Sequence, residues 1–214
     1  METKEEIVKL IQSFDGRNNI YSVYSDWVKM CALSLYNKVY KQEKIEKQYI
    51  EIANKYTDKE LKKFCQAFGM LIELTSKKYD DYLGSMYMML ETSSKRTGQF
   101  FTPYHISKLM VNVAVEGKIE KLKNNSLTIN EPSCGAGANI IAFMEICEEK
   151  GINYTKHKIV AQDLDWNCVY MCYVQLSIYG AAGKVIQGDS LSCSLPDEER
   201  ILRTPAYYLR GCMV

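Results

Sequence analysis

The sequence predicts an α/β fold, a parallel sheet with helical crossovers over about residues 96–214, preceded by an N-terminal helical region over about 1–95. Two observations carry this. Apolar strand-like runs alternate with helix-length runs in the order strand, helix, strand, helix, strand after residue 125. The first hundred residues carry apolar positions at helical spacing, with no proline before Pro103.

In the helical region, Tyr24, Trp27, Val28, Cys31 and Leu35 share one predicted helix face. Ile45, Tyr49 and Ile52 form a second, and Leu61, Cys65, Phe68 and Ile72 a third, with Asp58 as the expected cap of that helix. A turn is expected at Asp15-Gly16-Arg17-Asn18-Asn19. Lys41, Lys44, Lys47 and Lys55 alternate with Glu43, Glu46 and Glu51, which reads as a solvated face rather than a phosphate clamp. The region is expected to be a small bundle covering one side of the sheet.

The segment Thr97-Gly98-Gln99-Phe100-Phe101-Thr102-Pro103 leads into a helix, with Thr102 as N-cap and Pro103 at the first helical position. An apolar run ending at Ile129 is the first strand, Glu131-Pro132-Ser133-Cys134-Gly135-Ala136-Gly137 a glycine turn, and Ala138 to Cys147 the next helix. Glycine has no Cβ, so such a turn lets backbone amides approach a ligand closely. Lys158 to Gln162 is the second strand, closing on Asp163-Leu164-Asp165; a helix runs from about Trp166 to Tyr179, and Gly180 fits its C-terminal cap. Lys184 to Gln187 is the third strand, reaching Gly188-Asp189-Ser190. Glu131, Asp163 and Asp189 thus fall at the carboxyl ends of three strands, where parallel sheets bind their ligands. Asp163 and Asp165 compete for two jobs, one facing the pocket and one capping the helix; the strand end favours Asp163 for the pocket. Cys134 reads as a small loop residue rather than a nucleophile.

As an ordered set these segments resemble the N-6 adenine DNA methyltransferases, particularly the modification subunits of type I restriction systems, over a little under half of the chain. The resemblance implies a Rossmann-like S-adenosylmethionine-dependent methyltransferase sheet, present in part, with S-adenosylmethionine as cofactor. Gly98 to Pro103 resembles the segment that caps the cofactor, one of the Phe100 and Phe101 rings lining its pocket and the Thr102 hydroxyl meeting the methionine carboxylate. Glu131 to Gly137 resembles the glycine-rich loop, contributing Glu131, Ser133, Cys134, Gly135 and Gly137. Asp163, with Leu164 beside it, resembles the acid that grips the ribose hydroxyls; Asp189, with Ser190, resembles the acid that reads the adenine amine.

The same resemblance implies an Asp or Asn, Pro-Pro, aromatic motif that holds the target base. No Pro-Pro pair occurs in the sequence. The nearest echo is Thr204-Pro205-Ala206-Tyr207, in which Thr204, Pro205 and Tyr207 are the candidate catalytic residues of a degenerate motif, Tyr207 alone keeping a stacking ring. The expectation is a methyltransferase-like protein or, alternatively, a non-catalytic cofactor-binding regulatory or assembly subunit, truncated or degenerate relative to the family. After Asp189 the remaining 25 residues allow one further strand at most, with Tyr207 to Val214 either that strand or a disordered end. That leaves the first strand near an exposed apolar edge and predicts self-association or a partner chain.

Composition sets the remaining bounds. Net charge is +1, with 16 Lys and Arg against 14 acids in the first hundred residues and 11 against 12 in the rest. Proteins that grip DNA alone usually carry a basic face, so any DNA contact is expected through a partner subunit. The eight cysteines are scattered without a Cys-x-x-Cys pair, which points to buried reduced thiols in a cytoplasmic protein and to no metal site. No apolar run approaches the length of a membrane span.

Overall fold

The computed structural model describes residues 3–14, 19–92, 100–192 and 196–211. The turn expected at Asp15 to Asn18, the Thr97-Gly98-Gln99 segment, Cys193 and Cys212 lie outside the described residues. Helices α1 Lys4–Gln12, α2 Ile20–Tyr40, α3 Glu43–Ala53, α4 Asp58–Lys77 and α5 Tyr82–Thr92 precede the sheet. Then follow α6 Tyr104–Val115, α7 Ile119–Asn124, β1 Thr128–Glu131, α8 Ala138–Glu149, β2 Lys158–Asp163, α9 Trp166–Ile178, β3 Gly183–Gln187, β4 Ile201–Arg203 and α10 Pro205–Gly211.

Local sequence explains the helix starts. Thr3 and Glu6 form a capping box on α1, and Thr57 and Glu60 form another on α4. The α4 cap is therefore Thr57, and Asp58 is the first helical residue. The α2 face is as predicted: Tyr24, Trp27, Val28 and Cys31 are buried and Leu35 packs beside them. The predicted α4 face is corrected. Phe64, Ala67, Leu71 and Leu74 are buried, whereas Cys65 and Ile72 are exposed. α4 carries two overlapping apolar stripes, and packing against α1, with Ile7 and Ile11 fully buried, selects the one through Phe64. Burying each large side chain of this kind contributes about 1.5–3 kcal/mol.

One continuous core joins these helices to the sheet. Tyr24 donates its hydroxyl to the Leu83 carbonyl at 2.7 Å, the Trp27 indole N–H donates to the Phe64 carbonyl at 3.1 Å, and α2 packs along α9. α9 is buried from Cys168 through Leu176, because the sheet lies on one side of it and the helical region on the other.

The sheet has the order β1-β2-β3-β4. β1 pairs with β2 in parallel (Glu131 opposite Ala161), and β2 with β3 in parallel (Asp163 opposite Gln187). β4 pairs antiparallel with β3, Arg203 opposite Lys184. The expected fourth strand is thereby corrected: Ile201–Arg203 makes it, and Pro205–Gly211 is a helix. β1 stands at the sheet edge, its residues alternating between exposed and half-buried. Cys31, Cys134, Cys147, Cys168 and Cys172 are free and buried; Cys65 is free and exposed. Among the described residues no helix is long and apolar enough to cross a membrane.

Candidate cofactor site

The glycine turn leaves β1 at Glu131 and enters α8 at Ala138. Gly135 and Gly137 adopt φ of 51° and 104°, a region open to glycine and strained for other residues. Both are also crowded: a Cβ on Gly135 would meet the Phe101 ring at 3.1 Å, and one on Gly137 would meet Cys172 Sγ at 3.2 Å. The loop is pinned by neighbouring elements. Cys134 N–H donates to the Gln162 carbonyl at 2.8 Å, Gly135 N–H to Asp163 Oδ2 at 2.9 Å, and Gln175 Nε2 to the Ala136 carbonyl at 2.8 Å.

The three acids lie at the carboxyl ends of adjacent parallel strands, as expected, and each holds backbone. Glu131 accepts from Ser133 N–H at 3.2 Å and from Asn139 Nδ2 at 3.0 Å, tying strand end to α8. Asp163 accepts from Gly135 N–H through Oδ2 and from Asp165 N–H through Oδ1. Of the pair Asp163 and Asp165, it is Asp165 that caps α9, accepting from Asn167 N–H at 2.9 Å. Asp189 is exposed and heads its own turn, accepting from Leu191 N–H at 2.9 Å. Leu164 and Leu191, next to the second and third acids, are strongly exposed, and Ser190 is half-buried.

A small cavity of ≈ 100 Å³ opens beside the loop, lined by Asp81, Phe101, Thr102, Ser107, Gly135 and Asn139 among others. Phe100, also on its wall, is 84% exposed, whereas Phe101 is half-buried against Tyr87, ring centroids 5.1 Å apart. Thr102 lines the cavity without capping a helix. α6 starts at Tyr104, its cap position is Pro103 in an extended conformation (φ −56°, ψ 139°), and no side chain caps it. Ser133 and Cys134 complete that wall. The Cys134 thiol is pushed well above its usual range by its hydrogen bond with Cys172 and by burial, so it is a packing group.

Thr204, Pro205 and Tyr207 are not brought to this site. β4 runs antiparallel, so its carboxyl end lies against the start of β3, at the opposite end of the sheet from Glu131, Asp163 and Asp189. Thr204 is fully buried there as a staple: its hydroxyl donates to the Ala181 carbonyl at 2.6 Å and accepts from Gly183 N–H at 3.0 Å. The Tyr207 ring lies under the Lys184 ammonium at 5.4 Å.

Sequence reasoning missed Asp81, Ser107, Asn139 and Gln175. Asp81 precedes α5, and its Oδ1 accepts from Gly84 N–H and from Gln175 Nε2, both at 2.8 Å. Asp-x-x-Gly before an apolar helix is a readable capping signal; nothing local announces that the same carboxylate reaches a cavity wall.

Residues 77–202, more than half of the chain, match the N-6 DNA Methylase family. The type I restriction enzyme MjaIX methylase subunit of Methanocaldococcus jannaschii is 27% identical over 157 residues. That match takes in 72% of this chain and 25% of the archaeal subunit, so the chain spans about a quarter of that relative's length. Among solved structures, a Listeria monocytogenes protein assigned to the class I S-adenosylmethionine-dependent methyltransferases superposes with a TM-score of 0.52 at 15% identity. That superposition covers 91% of this chain and 55% of the other, and shows the same fold. A type I restriction-modification methyltransferase subunit from Streptococcus thermophilus gives 0.48 at 14% identity, covering 92% and 59%. The matched span and the Rossmann-like methyltransferase sheet bear out the resemblance, and this chain belongs to the N-6 DNA methylase family.

Proposed function

We propose that this chain binds S-adenosylmethionine at the carboxyl end of its sheet and supplies the cofactor half of a DNA adenine N6-methyltransferase. The observation that carries this reading is the bond from Gly135 N–H to Asp163 Oδ2, which ties the glycine cradle to the candidate ribose acid. The residues fit such a ligand. Each Asp163 oxygen takes one N–H and keeps a lone pair for a ribose hydroxyl. Phe101 closes over Gly135, and Leu164 and Leu191 offer apolar surface at the strand ends. The contact set is Phe100, Phe101, Thr102, Glu131, Ser133, Cys134, Gly135, Gly137, Asp163, Leu164, Asp189 and Ser190.

When bound, the cofactor supplies a methyl group already made electrophilic by its sulfonium. The chain's own contribution is to orient that group, with the Phe101 ring and the buried Cys134 on the wall beside the loop. The target adenine is held by groups from polypeptide outside these residues, because Thr204 and Tyr207 sit at the far end of the sheet. A multi-subunit assembly acting on DNA accords with this and with an apolar stripe on α6: Ile106, Leu109, Met110 and Val113, all exposed, recur at i, i+3, i+4 and i+7.

The position of Thr204 also favours a second reading, a cofactor-binding regulatory or assembly module without catalysis of its own. Two measurements decide. Calorimetric titration with S-adenosylhomocysteine should give micromolar binding, lost or much weakened in Asp163→Ala; equal affinity in both proteins refutes the ribose assignment. Tritiated methyl transfer into adenine-containing DNA by the chain alone would refute the module, and cofactor binding without transfer would support it.

A further inference from the structure

The cavity beside the glycine loop is too small for a nucleoside, since pockets for whole ligands run from about 300 Å³, and this one holds ≈ 100 Å³. Its wall is rich in polar atoms that the fold leaves unused. Ser107 is fully buried on α6, and its hydroxyl has no hydrogen-bond partner. Asn139 donates Nδ2 to Glu131, which fixes its amide orientation, since a carboxylate accepts and cannot donate. Its Oδ1 is left buried and without a partner. Asp81 is 3% exposed, and both donors that reach its carboxylate, Gly84 N–H and Gln175 Nε2, land on Oδ1. Oδ2 receives none among the described residues.

Three unused acceptors on one wall, one of them a buried carboxylate, match a group with several N–H donors, no acceptor and a positive charge. That is the inventory of an ammonium. Burial, opposed by the hydrogen bonds from Gln175 and Gly84, lifts the Asp81 carboxyl to about 6, so it is still ionised at neutral pH, with both bonds on Oδ1.

We infer that Asp81, Ser107 and Asn139 form a subsite for the α-ammonium of an amino-acid moiety, which, resting on the function proposed above, is the methionyl end of the cofactor. The adenosine then lies outside the cavity, across the open strand ends. Asp81 and the loop are braced as one unit, because Gln175 Nε2 bonds both Asp81 Oδ1 and the Ala136 carbonyl at 2.8 Å. The carboxylate also needs its glycine: a Cβ on Gly84 would overlap Asp81 Oδ2 at 2.2 Å.

The test uses two ligands that share the nucleoside and thioether, S-adenosylhomocysteine with the amino-acid end and 5′-methylthioadenosine without it. Asp81→Asn keeps an Oδ1 acceptor for Gly84 and Gln175, removes the charge and turns the Oδ2 acceptor into an NH2 donor. By calorimetry it should weaken S-adenosylhomocysteine about tenfold or more, the loss expected for a charged hydrogen bond, and leave 5′-methylthioadenosine within about twofold. Ser107→Ala, which breaks no internal hydrogen bond, should show the same selectivity at roughly threefold. Equal losses for both ligands would make Asp81 a structural cap and overturn the subsite, as would unchanged affinity for S-adenosylhomocysteine. Wild-type protein that binds neither ligand would overturn the proposed function itself and the subsite with it.

Discussion

Replacing Gly137 by alanine separates backbone strain from crowding, because Gly180 provides the matched control. Both glycines have positive φ, 104° and 72°. An L-residue in that region is strained by about 1–2 kcal/mol. At Gly180 nothing lies within 4 Å of an added Cβ, so this is the whole expected effect. At Gly137 the added Cβ sits 3.2 Å from Cys172 Sγ, and Cys172 is fully buried on α9 with the sheet behind it. Overpacking of that kind adds about 1–3 kcal/mol, giving roughly 2–5 kcal/mol in total. For a chain of this size each kcal/mol lowers Tm by about 2–4 °C. The strain is common to both variants, so scanning calorimetry should find Gly137→Ala melting about 2–12 °C below Gly180→Ala. It should also lose S-adenosylhomocysteine affinity, since relief of the clash moves the loop that Asp163 and Gln175 hold. Equal melting temperatures, or a Gly180 variant that melts lower, would refute the claim that the α9 contact fixes the loop.

Asp163→Ala should free Gly135 N–H and reduce S-adenosylhomocysteine affinity by about tenfold or more, read by calorimetry. Thr204→Val should destabilise by about 2–3 kcal/mol in urea melts, as Gly183 N–H and the Ala181 carbonyl lose their buried partner, while cofactor affinity stays within about twofold. Asp81 supplies the pH prediction: burial raises its folded value to about 6, above the usual carboxylate range, so the native state holds a proton that the unfolded chain releases. Stability should thus fall as pH rises from about 4 to 6, by about 3 kcal/mol from this group. Asp81→Asn should flatten that slope and raise the pH 7 melting temperature; a steeper slope in the variant would contradict the burial argument.

The sheet and its loop were legible because their signals are local. Strand, glycine turn and helix succeed one another within twenty residues, and the acids mark the strand ends. Asp163 ends β2 and Asp165 follows two residues later, and the structure gives the helix cap to Asp165. Other features depend on contacts the sequence does not display. The α4 face was misphased because Leu61-Cys65-Phe68-Ile72 and Phe64-Ala67-Leu71-Leu74 are both good helical stripes, and only packing against α1 separates them. β4 is three residues long, too short for any periodicity, so its antiparallel pairing was invisible, and with it the removal of Thr204 from the site. The α4 cap was within reach: Thr57-x-x-Glu60 is a capping-box pattern, and Asp58 was the weaker choice. The cavity wall was hardest, since Asp81, Ser107 and Asn139 come from three separate parts of the chain, ahead of α5, on α6 and on α8.

That wall also differs energetically from the strand ends. Glu131 and Asp163 each accept two hydrogen bonds from the protein, so they stabilise the empty fold whatever binds. Asp81 and Ser107 do the reverse. A buried hydroxyl without a partner costs about 1–3 kcal/mol, and the desolvated Asp81 carboxylate costs a comparable amount at neutral pH. Against a typical stability of about 5–15 kcal/mol these are large sums. Asparagine at position 81 and alanine at 107 would keep every internal bond, so the fold alone gives no reason for the residues present. A ligand that donates to these acceptors converts both penalties into affinity. It follows that the protein should gain more thermal stability from S-adenosylhomocysteine than from 5′-methylthioadenosine at equal saturation, and that this difference should disappear in the Asp81→Asn, Ser107→Ala double variant.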